Sequence, residues 1–259
     1  MFASTPQADP QKDSQPAGSV CAEEIARFSA LAEQWWDPTG PMQPLHAMNG
    51  LRIGWASRHL PLRGRTSRHA RVLDIGCGAG LASEALAKAG YDVLGLDASA
   101  DGIAAARRHL EAHPLPKGSG PLNYRAGSAE ELVAEQQRFD AVVALEIIEH
   151  VTDPEAFFVM LAQLVEPGGV VIVSTLNRTL RSLAVGKIGA EYVMRLLPVG
   201  THEWRKFIRP AELAHYARSA GLRMDAMTGM APTSLIPLSS PWKETRDLSI
   251  NYIAAFRKS

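Results

Sequence analysis

The sequence predicts an α/β fold, a mostly parallel sheet with helices on both faces. Three observations predict it. Segments of strand and helix character alternate from Arg71 to Ser174. An apolar run, Val72-Leu73-Asp74-Ile75, ends in Gly76-Cys77-Gly78-Ala79-Gly80. A carboxylate, Asp97, closes the next apolar run, roughly twenty residues downstream. Glycine at alternate positions suits a chain that turns sharply from strand to helix, and it bares the backbone where a ligand must come closer than a Cβ permits.

Taken in order, the elements begin with an amphipathic helix from Glu23, with Ile25, Phe28 and Leu31 on one face, and a second from Leu51 through Ile53 and Trp55 to Leu60. The alternation follows: strand Arg71 to Ile75, helix Gly80 to Ala89, strand Asp92 to Leu96, helix Ala100 to Ala112, strand Leu122 to Ala126, helix Ala129 to Gln136, strand Phe139 to Leu145, helix Pro154 to Leu164 and strand Val170 to Ser174. An insertion then precedes a capped helix from Pro210 to Ala220 and strands near Leu222 to Met227 and Asn251 to Phe256. Ligands of such sheets sit beyond the strand C-termini. Gly76, Asp97, Gly127-Ser128 and Leu145-Glu146 all follow strands, so they gather on one edge.

Composition narrows the class. A chain of 259 residues, 46% hydrophobic, buries one α/β core without needing a second domain. Its 27 basic and 27 acidic residues cancel, which excludes a nucleic-acid partner held by bulk positive charge. Two cysteines, Cys21 and Cys77, cannot build a disulfide framework or a Cys-rich metal centre, so a reducing cytoplasmic setting fits. The first twenty residues, with Pro6, Pro10 and Pro16 and no apolar stretch, read as a disordered tail rather than a targeting segment. Residues 21–259 form the expected domain. No run of eighteen apolar residues occurs.

The glycine spacing bears on the ligand. A dinucleotide fingerprint requires G-x-G-x-x-G, but here the third glycine falls one place early, at Gly80, and no Tyr-x-x-x-Lys pair is present for a proton relay. A nicotinamide dehydrogenase is thereby disfavoured. With Asp97 able to accept both hydroxyls of a ribose, the Gly76/Asp97 pair reads as a nucleoside site.

These residues resemble the Rossmann-like, class I S-adenosylmethionine-dependent methyltransferases. Further segments narrow the likeness: Trp35-Trp36-Asp37, Pro44-Leu45-His46, Leu51-Arg52, Glu146-Ile147-Ile148-Glu149-His150-Val151, Ser174-Thr175-Leu176-Asn177-Arg178, Gly200-Thr201-His202 and Lys206-Phe207-Ile208-Arg209-Pro210. They are similar to the ubiquinone-biosynthesis O-methyltransferases, from about residue 22 to 257. Ala79 and Gly50 depart from that pattern, where the family usually has glycine and proline; neither change removes a reactive group.

The resemblance implies seven strands, the last pair antiparallel, and S-adenosylmethionine as methyl donor. Asp97 then suits the ribose, Gly76 and Gly78 the amino-acid end, Leu145 the wall beside the cofactor, and Arg52 the methionyl carboxylate. Ser128 reads more simply as a helix cap. The acceptor is implied to be a phenolic oxygen of a polyprenylated catechol or quinol. Glu146, Glu149 and His150 follow the fourth strand, and the resemblance assigns them magnesium, with His150 either ligating or taking the proton. A second reading stands beside it, in which the histidine only ties its loop together. The insertion over residues 178–207 mixes Leu180, Leu183, Tyr192 and Leu196 with Arg178, Arg181, Lys187 and Arg195. It is expected to be a helical lid, either packed on the core or resting on anionic membrane lipid. Contact with other enzymes of ubiquinone biosynthesis is left open, as are two rival functions: methylation of another small acceptor, and cofactor binding without catalysis.

Overall fold

The computed structural model describes residues 22–62, 64, 69–183, 204–234 and 240–259. The tail expected over residues 1–20, and most of the lid expected over 178–207, lie outside the described residues. Eight strands form one sheet: β1 Arg71–Ile75, β2 Asp92–Asp97, β3 Leu122–Ala126, β4 Phe139–Leu145, β5 Val165–Leu176, β6 Leu222–Pro232, β7 Trp242–Thr245 and β8 Asn251–Lys258. Their order is β3-β2-β1-β4-β5-β8-β6-β7. The first five pair in parallel, and β8 joins β5 and β6 in antiparallel register.

Seven strands were expected, and β7 is the eighth. It has four residues, follows Pro241, pairs only with β6 and lies at the sheet edge with Lys243 and Glu244 exposed. A strand so short and wet leaves no period-two apolar pattern to read. Strand β5 also begins five residues before the expected Val170, because Val165 pairs with Phe139 across a register shift and the Glu166-Pro167-Gly168-Gly169 stretch continues the strand instead of ending it. Parallel strand β4, FDAVVAL, is buried at every position, as expected between two helical layers.

Helices of ordinary α form accompany the sheet: α1 Ala22–Leu31, α2 Gln43–Ser57, α3 Leu81–Lys88, α4 Ala100–Ala112, α5 Ala129–Ala134, α6 Pro154–Leu164 and α7 Pro210–Ser219. Helix α2 starts eight residues before the expected Leu51. Pro44 sits in its first turn, where a missing N–H costs nothing. Alternate residues of β8 feed opposite layers: Tyr252, Ala254 and Phe256 pack with α6 and α7, whereas Ile253 and Ala255 pack with α2 and α3. The direction of strand order reverses at β1, which has β2 on one side and β4 on the other. The crevice beyond the C-termini of β1 and β4 is therefore where a ligand belongs.

Candidate active site

A cavity of about 390 Å³ opens at that crevice, within the range of small-molecule sites. Its wall brings together residues from the turn after β1, from Asp97, from Gly127-Ser128 after β3, from Leu145 to Ile147 after β4, and from α1 and α2.

The glycine turn is fastened to the end of β2. Gly76 and Cys77 both donate backbone N–H groups to Leu96 O, at 2.8 and 3.1 Å, and Gly78 N donates to Asp97 Oδ2 at 2.7 Å. Asp97 Oδ1 accepts from Ser99 N at 2.8 Å. Burial raises the Asp97 pKa and these two backbone donors oppose the rise. Two of roughly four acceptor positions on the carboxylate are thus used. Gly76 and Gly78 have left-handed φ of 70° and 55°. The space beside each is already filled: an added Cβ would lie 2.1 Å from Ile147 Cδ1 at Gly76 and 2.2 Å from Trp35 Cζ2 at Gly78. The close approach that excludes side chains here is thus made by the protein's own Ile147 and Trp35, beyond what a ligand requires.

Trp36, beside Trp35, donates its indole N–H to Ala79 O at 2.9 Å and stacks flat on His109, with centroids 3.4 Å apart. Nδ1 of His109 lies 2.6 Å from the buried Glu84, on the helix that the turn opens. The glycine turn is clamped from above by this chain of contacts.

Arg52 projects from α2 into the same wall and is buried. One Nη donates a long 3.4 Å bond to Asn49, and its Nε has no partner among the described residues. Burial depresses its pKa, and the negative charges of Glu146, Asp74 and Glu149 work against that. A buried guanidinium with an unused donor fits an anionic ligand group such as the methionyl carboxylate. Asp74, also on the wall, is pushed up to about 6, chiefly by burial, against the pull of Ser83 and Arg52. In the sequence Asp74 supports the nucleoside reading by preceding the glycine turn, but no ligand contact was assigned to it.

Beyond β4, the three residues to which magnesium was assigned do not come together as a ligand set. Glu146, at a left-handed φ of 55°, accepts from Ser174 Oγ at 2.5 Å and from Asn251 Nδ2 at 2.8 Å. Glu149 is buried and accepts from Thr175 Oγ1 at 2.9 Å. Burial, the neighbouring Glu146 charge and, against them, His150 and hydrogen bonds bring its pKa up to about 7. His150 turns elsewhere, its Nδ1 lying 3.1 Å from Glu24 Oε2 on α1. Among the described residues no three of His, Cys, Asp and Glu are disposed to hold a metal ion. These residues as arranged do not fit the ion.

His150 lines the cavity together with Ile25, Phe28, Leu45 and Ile147, and Phe28 meets its ring edge-on at 5.3 Å. Ser128 caps α5, accepting from Glu131 N at 3.3 Å, as its position suggested. Glu24, Ser174 and Asn251 were missed. Glu24 stands one helical turn before Phe28, and that i, i+4 spacing was the available signal.

The fold and this cofactor-side wall define an S-adenosylmethionine-dependent methyltransferase. A methyltransferase-domain family model matches residues 49–226. The same fold occurs in the magnesium protoporphyrin IX methyltransferase of Synechocystis solved with bound SAH, at 22% identity, TM-score 0.56, covering 83% of this chain and 84% of that one. Two curated proteins named ubiquinone biosynthesis O-methyltransferase are nearer in sequence. That of Azorhizobium caulinodans is 45% identical, over 90% of this chain and 92% of its own; that of Thiobacillus denitrificans is 42% identical, over 93% and 98%. The chain belongs to the ubiquinone biosynthesis O-methyltransferase family.

Proposed function

We propose that this protein transfers the methyl group of S-adenosylmethionine to a phenolic hydroxyl of a polyprenylated catechol or demethylated quinol in ubiquinone biosynthesis. The observation that carries the reading is one continuous cavity whose wall holds Asp97 and Arg52 together with His150 and the apolar Ile25, Phe28, Leu45 and Ile147. When bound, S-adenosylmethionine supplies a sulfonium methyl open to attack by an oxygen nucleophile. Arg52 holds the carboxylate of its amino-acid end, Asp97 takes the ribose hydroxyls, and Leu145 and Leu96 form apolar wall.

The remaining cost lies with the acceptor. A phenol ionises near pH 10, so reaching the phenolate at pH 7 costs about 4 kcal/mol. In this reading His150 takes the hydroxyl proton as the oxygen attacks, which spares the enzyme a preformed phenolate. Ile25, Phe28 and Leu45 exclude water and orient the ring, so alignment supplies much of what remains.

The apolar and basic stretch at 178–207 is the part suited to a polyprenyl tail or an anionic lipid surface. No described helix is long and apolar enough to cross a membrane. The test incubates the protein with methyl-labelled S-adenosylmethionine and a demethylated quinol or polyprenyl catechol. Label in the lipid extract supports the reading, and its absence with a folded, cofactor-binding protein defeats it. His150→Asn should lower turnover at least a hundredfold while S-adenosylhomocysteine affinity, by calorimetry, stays within a few-fold.

A further inference from the structure

Helix α1 lies before residue 49, where the match to the methyltransferase domain begins, yet it reaches the reactive side of the cavity. Glu24 and Phe28, one helical turn apart on α1, both bear on the imidazole of His150. Glu24 is only 7% exposed, and its Oε2 lies 3.1 Å from Nδ1. Phe28 meets the same ring edge-on, with planes at 89°. The ring is thereby braced in its tilt by the aromatic and in its rotation by the carboxylate. Neither Glu146 nor Glu149, though adjacent in sequence, serves this purpose: their oxygens are turned to Ser174, Asn251 and Thr175.

We propose that Glu24 is a positioning residue for His150, fixing the tautomer and the angle at which the imidazole meets the acceptor hydroxyl. This rests on the reading of His150 given above. An ionised carboxylate only accepts hydrogen bonds, so the neutral ring carries its hydrogen on Nδ1 and its basic lone pair on Nε2. Without that partner the ring is free to rotate or to exchange tautomers, and the lone pair is misdirected for part of the time. Glu24 touches no substrate in this scheme; it acts through His150.

The experiment compares Glu24→Met, which keeps length without an acceptor, with Glu24→Gln, whose amide oxygen still accepts from Nδ1. Both are combined with His150→Ala. E24M should lower kcat at least tenfold with S-adenosylhomocysteine affinity within twofold of wild type. E24Q should recover most of the loss, and E24M should add less than twofold to H150A. An E24M enzyme with wild-type kcat, or a double mutant whose loss is the product of the two single losses, overturns the proposal. Nitrogen-15 shifts of the His150 ring in the intact wild-type protein give a second readout independent of variant folding: protonated Nδ1 with unprotonated Nε2 supports it, and the reverse tautomer overturns it. Full turnover in H150A alone defeats the reading of His150 itself, an outcome distinct from E24M sparing an enzyme that H150A disables.

Discussion

The buried carboxyl of Glu149 makes stability depend on pH in a direction opposite to that of an ordinary salt-bridged acid. In the unfolded chain the group ionises near 4.5; in the fold it ionises near 7, because burial and the Glu146 charge disfavour the anion. Between those values the native protein keeps a proton that the unfolded chain has released, so stability is highest below about 4.5 and falls as pH rises through the window. The interval is worth about 3 kcal/mol at about 1.36 kcal/mol per pH unit. Glu149→Gln retains shape and the acceptor for Thr175 but has no proton to lose. Urea unfolding at pH 5, 6, 7 and 8 should therefore give curves that diverge, the variant becoming more stable than wild type by up to about 3 kcal/mol at pH 8. Asp74, pushed up to about 6, contributes its own decline in both proteins and cancels in the difference. Parallel pH profiles for variant and wild type would refute the reasoning.

Three further outcomes are expected. Gly78→Ala places a methyl 2.2 Å from Trp35 Cζ2 at a left-handed φ of 55°, so it should lose about 2–5 kcal/mol in denaturant unfolding, from backbone strain and overpacking together. Arg52→Met removes the buried cation that faces Glu146, Asp74 and Glu149; the urea midpoint should fall, and calorimetry should show S-adenosylhomocysteine binding weakened ten- to a hundredfold. His109→Ala strips the buried Glu84 of a 2.6 Å partner and Trp36 of its stacked ring, and should cost about 2 kcal/mol in urea unfolding.

The sheet and the gathering of Gly76, Gly78 and Asp97 on one cavity wall were legible because local chemistry forces them. A parallel strand buried on both faces must be apolar throughout, as Phe139 to Leu145 is, and a sharp strand-to-helix turn with positive φ demands glycine at 76 and 78. Asp97 at the end of β2 followed from the same logic. What was not legible depended on contacts between distant segments. The turning of Glu146 toward Asn251, 105 positions away, and of His150 toward Glu24 breaks up a ligand trio that looks compact in the sequence. Adjacency along a loop says nothing of where each side chain finds its partner. Strand β7 escaped for a related reason: only its pairing with β6 distinguishes those four residues from a surface loop.

Ile147 occupies the hollow that Gly76 leaves by lacking a side chain. It is the next residue after Glu146 and belongs to the stretch that carries His150, so the turn after β1 and the segment after β4 rest on each other at this point. Two walls of one cavity are in this way mechanically joined. A displacement of either loop therefore cannot leave the other untouched.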